Sequence, residues 1–510
     1  RVAVAAPLYA LFDYRIPPGC PAVAGSRVRV SFGRTRPIGV VLDVVGSSKV
    51  AANRLKAIDA LLDPEPLLGA ADLDFLGWAA AYYHHPIGEV VAAALPLRLR
   101  KSEAALPPGE SAWALTAAGV EQLASPPQRA PRQAGLLAWF GARPGYIAAQ
   151  ALLRSELPDT GPVLRVLRDK GWLEARELAG IPDPPVGKVT GPALNEDQAQ
   201  ALSRLSAAGS RFAVALLDGV TGSGKTEVYL QLAASALARG RSVLVLVPEI
   251  SLTPQLLRRF RHRLGTTVRV MHSGLSDTER EQAWHRVRLG LSRVLLGTRS
   301  SIFTPMADLG LVIVDEEHDP SFKQTEGFRY SARDLAVVRA QRADCPVVLG
   351  SATPSLESLR NVQAGRYRHL RLERRAGGAQ IPRIGLLDVR DQPLRSGLSE
   401  PLLARISATL AQGEQVMLFL NRRGFAPVLG CFGCGWLSNC PRCDARQTLH
   451  RASSLLWCHH CGAQRRVPLV CPECGAADLH PLGQGTEQLE EFLAERFANY
   501  PLIRVDRDAT

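Results

Sequence analysis

The sequence predicts a multidomain α/β protein organised around the parallel sheet of a phosphate-loop NTPase, with a β-rich N-terminal domain, a winged helix and a two-zinc insertion. Three observations carry this expectation. The glycine-rich stretch "DGVTGSGKT" at 218–226 lies between an apolar run and a helical pattern. Val- and Leu-rich runs follow it at intervals that suit alternating strands and helices. Eight of the ten cysteines fall between 431 and 474 as four Cys-x-x-Cys pairs. The length of 510 residues implies several domains, since single cores stop growing near about 250–300 residues. A 46% hydrophobic content is that of a soluble globular protein, and no uncharged apolar run approaches the roughly 18 residues of a membrane span. The N-terminus has no signal-peptide pattern, so a cytoplasmic location and no membrane partner are expected. The formal charge of +13 points to a polyanionic partner. The chain opens on Arg1 rather than methionine, as a fragment would.

Taken in order, residues 1–105 read as a β-rich domain, because "VRVSFGRTRPIGVVLDVV" alternates like half-exposed strands broken by glycine turns. From the residues alone, Phe12 is a core ring and Asp13 a turn residue. His84 and His85, adjacent at a helix end, point in different directions and are read as packing residues. Residues 106–180 hold helical segments, the last of which, "GPVLRVLRDKGWLEAREL", is basic and amphipathic and passes through Gly171 into a short strand. That is the pattern of a winged helix laid against duplex DNA, with protein packing as the alternative. "IPDPPVGKVTGP", 181–192, is a proline-rich linker.

Residues 193–375 form the nucleotide-binding lobe. Gly219, Gly222 and Gly224 let the backbone turn its N–H groups toward phosphates, Lys225 can reach the β/γ oxygens, and the Thr226 hydroxyl can ligate Mg²⁺. ATP and Mg²⁺ are the cofactors implied. The runs 242–250, 268–272, 293–300, 309–318 and 345–354 read as strands buried on both faces, hence a parallel sheet. In "VIVDEEH", Asp315 and Glu316 lie just past a strand, suited to holding Mg²⁺ and orienting the attacking water respectively.

The cysteine pairs imply two closed Cys₄ zinc sites in an insertion over 431–480. Spacers of five, fourteen and nine residues favour nesting. Cys440, Cys443, Cys458 and Cys461 then hold the inner ion, and Cys431, Cys434, Cys471 and Cys474 the outer one, closing the insertion at its neck. His459 and His460 are surplus to these ligands, and Cys20 and Cys345 are packing residues. So short a segment buries too little core to fold securely without metal.

The set "GVTGSGKTEVYL", "LVPEISLTPQ", "HSGL", "GTRSSIF", "VIVDEEHDPSFKQ", "LGSATPS" and "FLNRRGFAP" resembles the superfamily 2 helicases, and closely the primosomal replication-restart helicases. The resemblance runs nearly end to end. It implies two RecA-like lobes, the second made of 376–430 and 481–510 around the zinc insertion, and the same nesting of the cysteines. It implies that Gln198 contacts adenine, that Glu249, Thr298 and Arg299 line a DNA track, and that Ser351 to Thr353 couple hydrolysis to movement. Phe322, Phe328 and Tyr330 would sense single-stranded DNA, and stacking on bases supplies a physical reason. "LFDYRIP" and "SFGR" resemble a pocket for the 3′ end of a nascent strand, formed by Phe12, Asp13, Gly33 and Lys56. The implied function is an ATP-dependent 3′→5′ DNA helicase that recognises abandoned forks and starts primosome assembly. Its implied partners are forked and single-stranded DNA, single-strand DNA-binding protein and other primosome proteins, at the bacterial nucleoid. A general repair helicase and a non-hydrolysing fork-binding scaffold are the alternatives. In the family further motifs and an arginine finger follow the point where this chain ends, so the chain alone is expected to bind ATP weakly; Arg422 and Arg423 could contact nucleotide or DNA.

Overall fold

The computed structural model describes residues 1–505 apart from 102–110, 129, 146, 151–152, 154–156, 158–159, 178–190, 208, 249–252, 377–382, 390–391, 420–427, 432, 451–452, 478 and 483–485. Glu249, Arg422, Arg423 and most of the expected linker therefore lie outside the described residues. The chain divides into two compact units, Arg1–Gln380 and Ile381–Thr510. Among the described residues no helix is long and apolar enough to cross a membrane.

The first unit is built on a seven-stranded sheet. Its strands are β8 (Val214–Gly219), β9 (Ser242–Leu246), β10 (Arg269–Met271), β11 (Val294–Gly297), β12 (Leu309–Asp315), β13 (Val347–Ser351) and β14 (Arg368–Leu372). They are parallel throughout, in the order β10-β11-β9-β12-β13-β8-β14. Side chains alternate between two apolar cores, as the two-residue strand period requires. Leu216, Leu244, Leu246, Val312 and Val314 enter one core, while Leu217, Val243, Val245, Leu311 and Ile313 enter the other. This two-sided burial is why the strands read as continuous apolar runs, and it places every strand's carboxyl end at the edge where the phosphate loop begins.

Preceding the lobe, β1 (Val2–Val4), β2 (Arg27–Val30), β3 (Ile38–Val41) and β4 (Ile58–Leu61) form an antiparallel sheet ordered β1-β3-β2-β4. The β-rich expectation holds only for this part. Residues 70–101 are helical, as Ala70–Tyr82, Ile87–Ala94 and Leu97–Lys101. Apolar side chains at 75, 76, 79 and 80 give the first helix one buried face. That face joins the same core as Leu216, Val312 and Leu335 of the lobe. The seam is also hydrogen-bonded. The Trp284 indole donates to the Ala94 carbonyl at 2.9 Å, and Arg98 pairs with Glu281 at 3.2 Å and reaches Thr278 at 2.9 Å. Beneath it, Arg27 is fully buried; it grips Asp63 with two bonds of 2.7 Å and also donates to the Leu99 carbonyl.

Strands β5 (Ser111–Leu115), β6 (Ala148–Ala149) and β7 (Leu173–Glu177) make a small antiparallel sheet ordered β6-β5-β7. With helices Pro131–Gly141 and Thr160–Asp169 it encloses Trp113, Leu136, Phe140, Leu164 and Leu167. Gly171, at φ +72°, turns the last helix into β7.

In the second unit, helix Glu400–Ala411 packs through Leu403 and Ile406 on Leu489 and Leu493 of helix Thr486–Arg496. Beyond the hairpin β15 (Leu394–Arg395) and β16 (Leu398–Ser399), β17 (Val428–Cys431) pairs antiparallel with β21 (Leu479–Leu482). Between them β18 (Thr448–His450), β19 (Leu455–Trp457) and β20 (Gln464–Arg466) form a meander. The chain thus returns beside its exit, as the nested cysteine order expects.

Candidate nucleotide, metal and nucleic-acid sites

The phosphate loop leaves β8 and enters helix Lys225–Ala238. Gly222 and Gly224 adopt φ of +79° and +81°, a region that other residues enter at a cost. A side chain at Gly224 would also collide with Gln198 Nε2. Lys225 is buried, and its Nζ donates to the Gly219 carbonyl at 2.8 Å, holding the ammonium across the loop. Backbone N–H groups, a helix N-terminus and a held cation suit a polyphosphate. Gln198 is buried here too: its Nε2 donates to the Ser223 carbonyl at 2.8 Å and its Oε1 accepts from Asn195 N at 3.0 Å. The side chain expected on adenine thus braces the loop itself.

Asp315 ends β12, two strands from β8 along the same carboxyl edge. Burial, then repulsion from Glu316, push its carboxyl above the usual range, while the Tyr229 hydroxyl and Lys225 oppose that shift. Tyr229 Oη donates to Asp315 Oδ1 at 3.0 Å. Glu316 has a left-handed backbone, φ +49°, uncommon and costly for a non-glycine residue. Its carboxylate lies 3.6 Å from His318 Nδ1, which in turn is 2.7 Å from Ser351 Oγ. The third acid, Glu317, is buried and accepts from Ser355 N at 2.7 Å and from the Ser355 and Ser358 hydroxyls at 2.9 Å each. The acidic strand end and the "SATPSLES" loop are therefore joined by hydrogen bonds through Glu317 and His318. Tyr229, Glu317 and His318 escaped the sequence reading. The only signal was the unexplained extra acid and histidine in "DEEH", since a tyrosine in a helix reads as core.

Thr298 and Arg299 border a cleft of about 300 Å³ with Met271, His272, Arg280 and Tyr330. Arg299 donates to the Ser321 and Lys323 carbonyls at 2.9 and 3.0 Å, tying the "GTRS" turn to the aromatic loop. The three rings of that loop are not presented to solvent. Phe322, Phe328 and Tyr330 are 2, 8 and 5% exposed. Phe328 meets Tyr83, His85, Phe303 and Tyr330 at ring separations of 5.0 to 5.9 Å. Stacking on bases needs an open ring face, and in this arrangement the three rings pack against protein instead. They fill the seam between the N-terminal helices and the lobe, and Arg299 is the polar residue joining that seam to the cleft.

In the N-terminal sheet domain, Phe12 and Phe32 pack edge to face at 4.8 Å, which brings the segments around Asp13 and Gly33 together. Asp13 accepts from the Ser48 hydroxyl and lies 3.9 Å from Arg1 Nε. Gly33 has φ +57° with open space where a side chain would stand, and Lys56 is exposed on a segment bonded to Arg15 through its carbonyl.

The cysteine sulfurs gather as two clusters with the nested membership, Cys431, Cys434, Cys471, Cys474 and Cys440, Cys443, Cys458, Cys461, each within 4.8 Å. Sulfur–sulfur separations of 3.4 to 3.7 Å match the roughly 3.8 Å edge of a tetrahedron with 2.3 Å Zn–S bonds. All four pairs sit in one turn type: the first cysteine's N–H donates to the carbonyl five residues on, at 2.8 Å. In three of them a glycine after the second cysteine, Gly435, Gly462 or Gly475, supplies a positive φ. Four thiolates close each site, so these residues hold structural Zn²⁺, and neither His459 nor His460 belongs to a cluster.

Residues 1–96 match the PriA 3′ DNA-binding domain, 195–362 the DEAD/DEAH box helicase family, and 440–466 the PriA DNA helicase Cys-rich region. Over its whole length the chain is 44% identical to replication restart protein PriA of Haemophilus influenzae, of which it covers 70%. It is 46% identical to the protein of that name from Bacillus subtilis over 58% of this chain and 37% of that one. Among solved structures, RecG bound to a three-way DNA junction aligns at 22% identity over 42% of this chain and 28% of that one, with a TM-score of 0.30.

Proposed function

Because the chain belongs to the replication restart protein PriA family and is an ATP-dependent DNA helicase with two structural zinc ions, we propose that it reads abandoned forks through a nascent 3′ end and moves 3′→5′. The observation that carries this reading is the shared core. The helices that follow the sheet domain share one apolar body with lobe 1, which supports a fixed relation between the motor and a DNA end held by Phe12, Asp13, Gly33 and Lys56. Asp13 accepts the terminal hydroxyl, Phe12 stacks on the last base, Lys56 meets phosphate, and Gly33 admits the backbone closely. In the motor, Lys225 and the loop N–H groups bind ATP, with Gln198 beside the base. Thr226 and Asp315 hold Mg²⁺, and Glu316 orients water. Mg²⁺, when bound, neutralises charge on the phosphates. Thr298 and Arg299 contact the strand along the cleft, and the Arg299 bonds to 321 and 323 pass its position to the buried rings. Primosome assembly, with single-strand DNA-binding protein and other primosome proteins at the nucleoid, follows from the same reading.

Lys225→Ala and Asp315→Asn, in this chain and in one extended at its C-terminus, test it. DNA-stimulated ATP hydrolysis is expected to disappear in both variants while fork binding survives. Unwinding is expected of a substrate with a 3′-tailed translocation strand. Equal loss of fork binding in both variants, or unwinding with 5′→3′ polarity, overturns the reading.

A further inference from the structure

The helix that begins at Lys225 carries Tyr229 one turn further in, and that residue is built into the nucleotide edge in a way that packing alone does not require. Its ring belongs to the core beneath the sheet and is 1% exposed. A phenylalanine would fill that space equally. The hydroxyl instead crosses from the helix to the end of β12 and donates to Asp315 Oδ1 at 3.0 Å. Room for it is made by Gly350 on the adjacent strand β13: a Cβ there would fall 1.5 Å from Tyr229 Oη. Gly350 is paired in register with Asp315, so helix, carboxylate and glycine form one three-part contact. Against it, Glu316 repels Asp315 from the next position.

We propose that Tyr229 is a positioning residue for the metal-holding carboxylate, fixing the rotation of Asp315 so that Mg²⁺ meets an oriented ligand. The inference rests on the reading of Asp315 as the Mg²⁺ ligand. A carboxylate held by one neutral hydrogen bond need not reorganise when metal arrives, and a loose one must give up rotamer freedom first. Tyr229 is 1% exposed, so in this proposal it acts on the site through Asp315.

The test is binding of fluorescently labelled ADP to this chain with Mg²⁺ or with EDTA, for wild type, Tyr229→Phe and Asp315→Asn. Mg²⁺ is expected to tighten binding in wild type, and Tyr229→Phe to lose about five- to tenfold of that tightening, with metal-free affinity and melting temperature unchanged. Equal tightening in wild type and Tyr229→Phe overturns the proposal. So does a Tyr229→Phe that weakens binding equally with and without Mg²⁺ and melts earlier, because that is a packing residue. Asp315→Asn separates the two levels. If it keeps the full Mg²⁺ dependence, the assignment of Asp315 itself fails; if it loses the dependence while Tyr229→Phe keeps it, the positioning role alone fails.

Discussion

The motor lobe and the zinc insertion solve the same problem with opposite means. In the lobe, strand residues are wholly buried on both faces of the sheet, Leu216, Leu244 and Val312 on one and Leu217, Val243 and Ile313 on the other. At about 25 cal/mol per Å² of apolar surface removed from water, such a body is stabilised by its own side chains. The insertion has Leu429, Leu449 and Leu456 as its apolar centre and leaves Leu469 94% exposed. Its order comes from eight thiolates. The difference teaches where each region is vulnerable: the lobe to lost volume, the insertion to lost metal.

The largest effect follows from metal. Zinc is worth roughly 10–16 kcal/mol to small zinc-folded domains, more than most domains' whole stability. Metal analysis is expected to return two ions per chain, matching the two clusters, and Cys440→Ser to lose the inner one while β17–β21 pairing lets the outer one persist. Two ions retained by that variant would break the ligand scheme. Chelation should open the insertion to proteases and leave the lobe protected.

Next in size is a cavity in the seam. Trp284 is 1% exposed and bonded to the Ala94 carbonyl, so Trp284→Ala should cost about 3–5 kcal/mol, read as an earlier calorimetric transition with zinc content unchanged. A variant that melts like wild type would show that the N-terminal helices do not share the lobe's core.

Acid sharpens the same contrast. Burial, then the charges of Arg288 and Arg27, hold His285 down to about 4 from 6.5. Its folded pKa lies below the unfolded one, so the unfolded chain binds the extra proton, and stability is lost as pH falls from about 6.5 toward 4. The ceiling is about 3 kcal/mol. Glu281, whose carboxyl burial raises, works in the opposite sense and lowers the net slope. His285→Gln is expected to flatten the pH dependence of the seam's melting; an unchanged slope would assign it to other groups.

How far the sequence shows all this depends on whether a residue's role is local. The strand runs and the phosphate loop are legible because two-sided burial and close backbone approach each demand a short, specific pattern. The cysteine nesting is legible because spacers limit which pairs can meet. Residues 70–101 are not, because an apolar face at helical spacing does not say which surface will cover it. The same ambiguity hides Phe322, Phe328 and Tyr330, since a ring that packs and a ring that stacks on a base look alike in sequence. Tyr229 and Glu317 are hidden because their partners, Asp315 and Ser355, are 86 and 38 residues away.

The smallest expected effect tests the central claim, that the N-terminal domain reads a 3′ end for the motor it is packed against. An acceptor deprived of its donor costs about 1–3 kcal/mol, or roughly five- to 150-fold in affinity. Fluorescence anisotropy at one fixed salt concentration compares forks whose leading strand ends in a free 3′-hydroxyl or a 3′-phosphate. Wild type should prefer the hydroxyl, and Asp13→Ala should erase that preference while keeping the salt-dependent binding of the basic surfaces. An Asp13→Ala protein that retains the wild-type preference would contradict the account.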